Sequence, residues 1–315
     1  MDFKQLQAFV TVADLGSFTR AARVLGVAQP ALSRQVRALE VALRQPLFQR
    51  NGRGVTLTPA GQRLLGHGRG ILQQLERALH DLEDQRGAAS GLLSIGLPPS
   101  ISRTLTAPLV DAFRARFPRA TLTVVEGLST YALEWLAQGR IDCAVVYNAT
   151  PAAAFDLQPV LDERLFLVSA RPATGRSTAL LGRPLTLAEL ATHELVIPSR
   201  PHAIRMRLET VLAEAGLKPR VGLEIDSVPA MLDLVQRHPL HAVLAINAIR
   251  GSGREEFFRA RPVVMARGQS PLTATLWIAT SAQRPRGPLL EQAVPLLAQQ
   301  LRERLAAASP ARRAP

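Results

Sequence analysis

The chain has 315 residues, 47% of them hydrophobic, which is enough for two or three domains with full cores. Its net charge of +13 favours polyanionic partners, and its single cysteine excludes an internal disulfide and a multi-cysteine metal site. No apolar run reaches the ~18–20 residues of a membrane span. Because the N-terminus also lacks the pattern of a signal peptide, we expect a cytoplasmic protein with no membrane partner.

Residues 4–15 predict a first amphipathic helix, and residues 17–40 predict two more that are joined by a tight turn. Ser17 is a suitable N-cap for the second helix, and Gly26 ends it. The third helix begins near Gln29 and has Pro30 in its first turn, where a missing N–H costs nothing. Its inner apolar positions are Leu32, Val36 and Leu39.

The outer face of the third helix carries side chains that can hydrogen-bond to base edges or phosphates, namely Gln29, Ser33, Arg34 and Arg37. Seven arginines and a single acid, Glu40, lie between residues 18 and 53. These features indicate a helix-turn-helix whose last helix recognises DNA. An ordinary helical hairpin with a solvated basic face is the alternative interpretation.

Residues 48–58 favour the helix-turn-helix, because they predict a β-hairpin with Asn-Gly at its tip and hence a winged domain. The stretches SFTRAARVLGVAQPALSRQVRALE and LRQPLFQRNGRGVTLTPAG resemble the N-terminal domain of LysR-type transcriptional regulators, and the resemblance runs from residue 1 to about residue 61. One residue departs from the family pattern, since Ala28 stands where a Ser often caps the recognition helix.

This resemblance implies a DNA-binding transcriptional regulator that recognises an interrupted inverted repeat in double-stranded DNA. It implies contacts to DNA from the recognition helix and the wing, at Gln29, Pro30, Ser33, Arg34, Arg37, Arg50 and Arg53. It also implies assembly into a homodimer and a homotetramer, and RNA polymerase as a further partner.

A long helix follows the hairpin, begins after the cap residue Thr58 and runs to about residue 85. Its apolar seam, spaced 3, 4, 3, 4 and 3, consists of Leu65, Gly68, Leu72, Leu75, Leu79 and Leu82. A seam this narrow favours pairing with the same helix of a second chain, and packing on its own domain is the alternative. Gly66, Gly68 and Gly70 weaken the prediction, because each costs ~1 kcal/mol relative to Ala in a helix.

Strands and helices alternate from residue 91 to residue 308, which predicts an α/β domain with a mostly parallel sheet. The predicted strands are residues 92–97, 121–126, 141–147, 165–169, 195–197, 221–225, 242–246 and 273–280. The predicted helices are residues 104–117, 129–138, 203–215, 228–237 and 289–305. The last residues, 309–315, are expected to form a disordered tail.

This pattern resembles the two-lobed fold of solute-binding proteins of the type 2 periplasmic class, which is the effector domain of LysR-type regulators. The predicted domains are a winged helix-turn-helix at 1–58, a linker and dimerisation helix at 59–86, and a two-lobed effector domain at 91–308. Lobe I is expected at about 91–162 and 268–308, and lobe II at about 163–267. Residues 96–100 and 125–129 are also similar to a nitrogen-assimilation-control branch of the family.

No catalytic residue, metal ligand set or cofactor motif emerges from the sequence, so we expect neither an enzyme nor a bound cofactor. The six histidines show no metal-ligand spacing, and Walker and G-x-S-x-G motifs are absent. Cys143 lies in the middle of a predicted strand, where a buried inert thiol is favoured over a nucleophile.

Small hydroxyl residues recur just after strands and at the starts of helices. The carboxyl ends of the strands mark the ligand crevice of an open α/β sheet. The free N–H groups at the starts of the helices favour binding of an anion there. Each of them is also suited to capping its helix. The excess of eight positive charges in residues 91–315 (26 basic and 18 acidic) supports a small anionic effector. The predicted effector-binding residues are Ser100, Ser102, Ser129, Thr130, Tyr147, Ser199, His202 and Ser227.

Three classes of function remain to be weighed. The first is a DNA-binding transcriptional regulator that responds to an effector. The second is a transport-type solute-binding protein, which the second half alone would allow but the winged helix-turn-helix argues against. The third is a cytosolic enzyme on the two-lobed fold, for which no general base or nucleophile with a suitable partner is present.

Overall fold

The structure is a computed structural model, and it describes residues 1–51, 54–83, 90–171, 179–266 and 268–306. The chain divides into two compact units. The first comprises Met1–Gly91 with Trp135–Ile141, and the second comprises Leu92–Glu134 with Asp142–Pro315. Within the described residues, no helix is long and apolar enough to cross a membrane.

The first unit contains a helix-turn-helix followed by a hairpin and a long helix, as predicted. Its elements are α1 Phe3–Leu15, α2 Phe18–Val24, α3 Gln29–Leu43, β1 Phe48–Asn51, β2 Gly54–Leu57 and α4 Pro59–Glu83. The Ser17 hydroxyl caps α2 by accepting the Arg20 N–H, and Gly26 has a φ of +64° in the turn after it. Ala28 provides no side-chain cap for α3, which begins with Pro30 in its first turn.

Two apolar clusters fix these elements against one another. The first unites α1, α2 and α3 through Ala8, Val12, Ala21, Ala22, Leu32 and Val36. The second lies between α1, α3, the hairpin and α4, and is formed by Leu6, Phe9, Val10, Leu39 and Leu47. Burial of a Leu or Phe side chain contributes about 1.5–3 kcal/mol each. The recognition helix and the wing therefore have a common rigid support.

The apolar seam of α4 is divided between two environments. Leu65 and Leu72 pack against the second cluster, and a Cβ added at Gly68 would lie 3.1 Å from side-chain atoms of Leu6 and Val10. Leu75 and Leu79, in contrast, are 37% and 55% exposed. The first part of the seam thus packs on its own domain, which was the alternative interpretation. The side chain of Leu82 lies outside the described residues.

The second half of the chain alternates strands and helices and confirms the α/β class. Its strands are β3 Gly91–Leu97, β4 Ala120–Glu126, β5 Cys143–Tyr147, β6 Phe155–Ala170, β7 Leu185–Thr186, β8 Glu194–Ile197, β9 Arg220–Glu224, β10 Ala242–Ala245, β11 Phe258–Val264 and β12 Thr273–Ser281. Its helices are α5 Pro99–Arg116, α6 Ser129–Ala137, α7 Leu187–Ala191, α8 Ala203–Glu214, α9 Val228–Arg237, α10 Ile246–Arg250 and α11 Pro288–Ala306.

Several boundaries differ from those predicted. Helix α5 begins at Pro99 rather than at residue 104, because proline is well tolerated in a first helical turn. Strand β6 has 16 residues where only residues 165–169 were predicted. The short elements β7, α7 and α10, and strand β11, were not predicted.

The sheet is mixed, so the prediction of a mostly parallel sheet was wrong. Parallel pairs are β3–β5, β7–β11 and β8–β9. Antiparallel pairs are β12 with β5 and β6, and β6 with β10 and β11. Strand β12 comes late in the chain and lies between β5 and β6, antiparallel to both, so these long-range pairs were not evident from the alternation of neighbouring strands and helices.

Strand β6 changes partners along its length. It pairs with β12 from Phe155 to Arg164, and with β10 from Leu165 onward. Side chains of its second half lie in an apolar cluster with β8, α9 and β10, formed by Phe166, Val168, Val196, Met231, Leu232, Val235, Ala242 and Leu244 among others. A single strand therefore pairs with β12 in its first part and with β10 and β11 in its second part.

Candidate DNA-binding face and effector cleft

The outer face of α3 is accessible. Gln29, Pro30, Arg34 and Arg37 are exposed, while the inner residues of the helix are buried. The Gln29 amide nitrogen donates to the Ser33 hydroxyl at 3.1 Å, which orients two polar side chains one helical turn apart. A helix of this kind has the width of the DNA major groove.

A groove of about 420 Å³ separates this face of α3 from the wing. Its lining combines guanidinium groups with apolar side chains and consists of Phe18, Ser33, Arg34, Val36, Arg37, Glu40, Phe48 and Val55. A second groove of about 380 Å³ on the other side of α3 includes Lys4, Gln35 and again Arg34. Arg50 lies on β1 with its side chain outside the described residues, and Arg53 lies outside them altogether.

Glu40 has a role that the sequence did not predict. Its Oε1 atom accepts the Leu47 N–H at 2.8 Å and the Phe48 N–H at 3.2 Å. The only acid among the arginines of this segment therefore joins the recognition helix to the first strand of the wing. The Phe48 ring then packs between Phe9 and Phe18, with ring centroids 5.3 and 5.7 Å away.

Three of the predicted effector-binding residues lie together in lobe I. The Ser129 hydroxyl, at the start of α6, accepts the Tyr147 N–H at 3.0 Å. The Ser100 hydroxyl, in the first turn of α5, hydrogen-bonds to the Tyr147 side chain. The N-terminal ends of two helices thus meet around one buried tyrosine, an arrangement suited to binding an anion.

Two further predicted residues lie together in lobe II. The Ser199 hydroxyl donates to the Asp226 carboxylate, 2.6 and 2.7 Å from its two oxygens, and the Ser199 N–H also donates to it at 2.8 Å. His202 precedes α8, its buried Nδ1 has no partner among the described residues, and burial lowers the pKa of its imidazole. Arg205 is committed to Glu209, Glu224 and the Pro198 carbonyl.

The other three predicted residues have separate surroundings. The Ser102 hydroxyl donates to a Glu126 carboxylate oxygen at 2.7 Å, within lobe I. The Ser227 hydroxyl caps α9 by accepting the Ala230 N–H, and Thr130 is exposed. The assignment of effector contacts to these residues stays a prediction.

The sequence did not identify two buried polar residues that are joined to Tyr147 by hydrogen bonds. Glu163 and Asn247 are 4% and 3% exposed. The Tyr147 hydroxyl donates to Glu163 Oε2 at 2.5 Å, and the Asn247 amide nitrogen donates to Glu163 Oε1. Burial raises the pKa of the Glu163 carboxyl, and burial followed by the Glu163 charge raises the pKa of Tyr147. A lone Asn within the apolar stretch of residues 242–249 was the available signal.

Cys143 is buried on β5, and burial raises the pKa of its thiol, so a reactive thiolate is disfavoured. Among the described residues, no group of three or more His, Cys, Asp and Glu side chains is placed to hold a metal ion.

Two family models match the chain. Residues 3–62 match the bacterial regulatory helix-turn-helix protein, lysR family, and residues 86–305 match the LysR substrate binding domain. Over 251 residues the chain is 37% identical to the nitrogen assimilation regulatory protein nac of Escherichia coli (strain K12), covering 79% of this chain and 80% of that protein.

Solved structures show the same fold at low identity. The crystal structure of full-length CbnR complexed with its target DNA has a TM-score of 0.69 and 23% identity, covering 98% of this chain and 100% of that one. A full-length OxyR from Pseudomonas aeruginosa has a TM-score of 0.69 and 22% identity, covering 100% and 99%. With its winged helix-turn-helix and its substrate-binding domain, the chain belongs to the LysR family of DNA-binding transcriptional regulators.

Proposed function

We propose that this regulator recognises an interrupted inverted repeat through the outer face of α3, with Gln29, Pro30, Ser33, Arg34 and Arg37 in the major groove. The wing arginines Arg50 and Arg53 contact phosphate or the minor groove. The observation that carries the proposal is the exposed basic face of α3 beside an open groove at the wing. Such a surface provides both base recognition and phosphate neutralisation.

A homodimer formed through α4 supplies the two winged helix-turn-helix domains that bind the two half-sites of the repeat. Leu75 and Leu79 support this step, because they are exposed apolar side chains spaced for a coiled-coil seam. Two linked domains bind an inverted repeat far more tightly than one, since the second contact is intramolecular. Dimers pair further into a homotetramer, and the DNA-bound assembly contacts RNA polymerase.

A small anionic effector binds between the lobes and changes operator affinity. The ends of α5 and α6 around Ser100, Ser129 and Tyr147 support a site in lobe I, and Ser199 and His202 support its other wall. The effector acts by binding one lobe closure better than the other, because a ligand shifts an equilibrium only through its differential affinity. The remaining predicted contacts are Ser102, Thr130 and Ser227.

The protein acts in the cytoplasm, has no membrane partner and no cofactor, and is not an enzyme. The likeness to the nitrogen assimilation regulatory protein nac supports membership of the nitrogen-assimilation-control branch. The winged domain counts against a transport-type solute-binding protein.

Gel-shift titration of the full-length protein on its upstream intergenic DNA tests the proposal. We expect a discrete complex that forms on this DNA at concentrations well below those needed for random DNA of equal length. Addition of small carboxylates from a screen should change the affinity, and Ser129→Ala should weaken that response while leaving DNA binding intact. Equal binding to random DNA would refute the assignment.

A further inference from the structure

Glu163 lies at the point where the two lobes meet. It is one residue before Arg164, the last residue of β6 that pairs with β12, and pairing with β10 begins at Leu165. One carboxylate oxygen accepts from Tyr147 at the end of β5 in lobe I. The other accepts from Asn247 in α10, which follows β10 in lobe II. A single buried carboxylate is therefore bonded to both lobes.

The partners of this carboxylate carry no positive charge. A phenol and a primary amide donate to it, and no arginine, lysine or histidine of the described chain pairs with it. A buried carboxylate without a cation is unfavourable unless it is protonated or receives a positive charge from elsewhere. Burial accordingly raises the pKa of the Glu163 carboxyl.

The same cluster contains an unused acceptor. Asn247 is 3% exposed, and its Oδ1 atom has no hydrogen-bond partner among the described residues. Because Asn247 Nδ2 donates to Glu163, this oxygen belongs to the amide that already lies against the carboxylate. Buried amide oxygens are normally paired, so an unpaired one beside a carboxylate points to a missing donor.

We propose that Glu163 and Asn247 form a subsite for the ammonium group of the effector, which is therefore an amino acid or a similar zwitterion. An ammonium group has three donors and no acceptor, so it satisfies Asn247 Oδ1 and pairs with the Glu163 carboxylate at once. The inference rests on the proposed effector function, whose anion site it supplements.

The spacing of the cluster fits such a ligand. Ser100, in the first turn of α5, and Glu163 share the Tyr147 hydroxyl as a hydrogen-bond partner. The Ser100 hydroxyl and the Glu163 carboxylate therefore both lie next to the Tyr147 hydroxyl. An acidic group at the α5 terminus and an ammonium group at Glu163 can accordingly belong to one small molecule.

Binding to the full-length protein tests the subsite by thermal shift followed by calorimetry. The panel consists of the twenty standard amino acids, the matching carboxylic acids without the amino group, and the matching amines without the carboxylate. The variants are Glu163→Gln, which keeps the side-chain shape and one of the two acceptor oxygens, and Asn247→Leu, which removes the free acceptor together with the Nδ2 donor to Glu163. Glu214→Gln, at the exposed end of α8, is the control.

We expect one or more amino acids to bind the wild type about tenfold more tightly than the matching carboxylic acid without the amino group. A difference of this size is expected for a hydrogen-bonded charge pair. Glu163→Gln should abolish the preference for the amino acid while still binding the carboxylic acid. Asn247→Leu should reduce the preference, and Glu214→Gln should leave it unchanged. Asn247→Leu alone decides the matter if Glu163→Gln does not fold.

Three results would overturn the inference. If carboxylic acids bind as tightly as their amino acids, or Glu163→Gln keeps the preference, the ammonium subsite is wrong and the anionic effector site stands. If no member of the panel binds, both the subsite and the proposed effector function fail.

Discussion

Removal of the Glu40 carboxylate should uncouple the wing from the recognition helix. In Glu40→Ala the Leu47 and Phe48 amides lose their acceptor, at present 2.8 and 3.2 Å away. A hydrogen bond to a charged group contributes about 1.5–3 kcal/mol, and water can replace part of it at this half-buried site. We therefore expect a loss of about 2–4 kcal/mol in the local stability of the wing.

Glu40→Gln separates geometry from charge. Its amide oxygen still accepts from both backbone amides, so the expected loss is only about 1–2 kcal/mol. It also removes the one acid in the basic segment of residues 18–53. Affinity for DNA at low salt should therefore rise relative to the wild type, whereas Glu40→Ala should lower it.

Hydrogen exchange of the Leu47 and Phe48 amides measures the first effect, and fluorescence anisotropy with labelled operator over a range of salt concentrations measures the second. Glu76→Ala, an exposed carboxylate on α4, is the matched control and should change neither exchange nor specificity. Unchanged exchange in Glu40→Ala, or equal damage from Ala and Gln, would show that these hydrogen bonds do not hold the wing.

Three further predictions address the other parts of the molecule. Arg34→Ala should lower the free energy of operator binding by about 1–3 kcal/mol and relax discrimination between operators that differ by a single base pair. Arg50→Ala should instead weaken binding to all DNA sequences alike and flatten its salt dependence. If the two variants had the same sequence and salt dependence, the assignment would be contradicted. Replacing exposed Leu75 and Leu79 by Glu should dissociate the dimer and reduce operator affinity, and unchanged sedimentation would place the interface elsewhere. Burial raises the pKa of the Glu163 carboxyl above its ordinary value of 4.5, so as the pH rises this carboxyl loses its proton in the unfolded chain before it does so in the folded protein. Glu163 therefore lowers the free energy of unfolding as the pH rises above 4.5. The stability of Glu163→Gln relative to the wild type, from denaturant unfolding, should therefore increase with pH over that range, and a flat difference would refute the buried titration.

The sequence alone determined the features that depend on near neighbours in the chain. Ser17 as a cap, Pro30 in a first turn and the buried Leu32 follow from helical spacing and from backbone groups one turn away. The Asn-Gly pair likewise predicted the hairpin, although Asn51 itself pairs with Gly54 as the last residue of β1 and was wrongly placed in the turn. Motifs this local and this dense also sufficed to identify the family.

The linker helix shows where such reasoning ends. Gly68 lowers helix propensity and was counted against the helix, yet it allows α1 to approach closely, because a Cβ there would meet Leu6 and Val10 at 3.1 Å. The heptad seam therefore has a part that packs on its own domain, up to Leu72, and a part that is exposed, from Leu75. The boundary between these two parts depends on how the domain packs.

Only the tertiary structure decided the arrangement of the predicted effector-binding residues. Ser100, Ser129 and Tyr147 come together because three separate strand ends meet there, whereas Ser199 is bonded to Asp226, a partner 27 residues away in the chain. Glu163 is one of three consecutive charged residues, Asp162, Glu163 and Arg164, and nothing local distinguishes it. Its burial follows from the partner change of β6, which places long-range neighbours around one carboxylate, and such pairings leave no periodic pattern in the sequence.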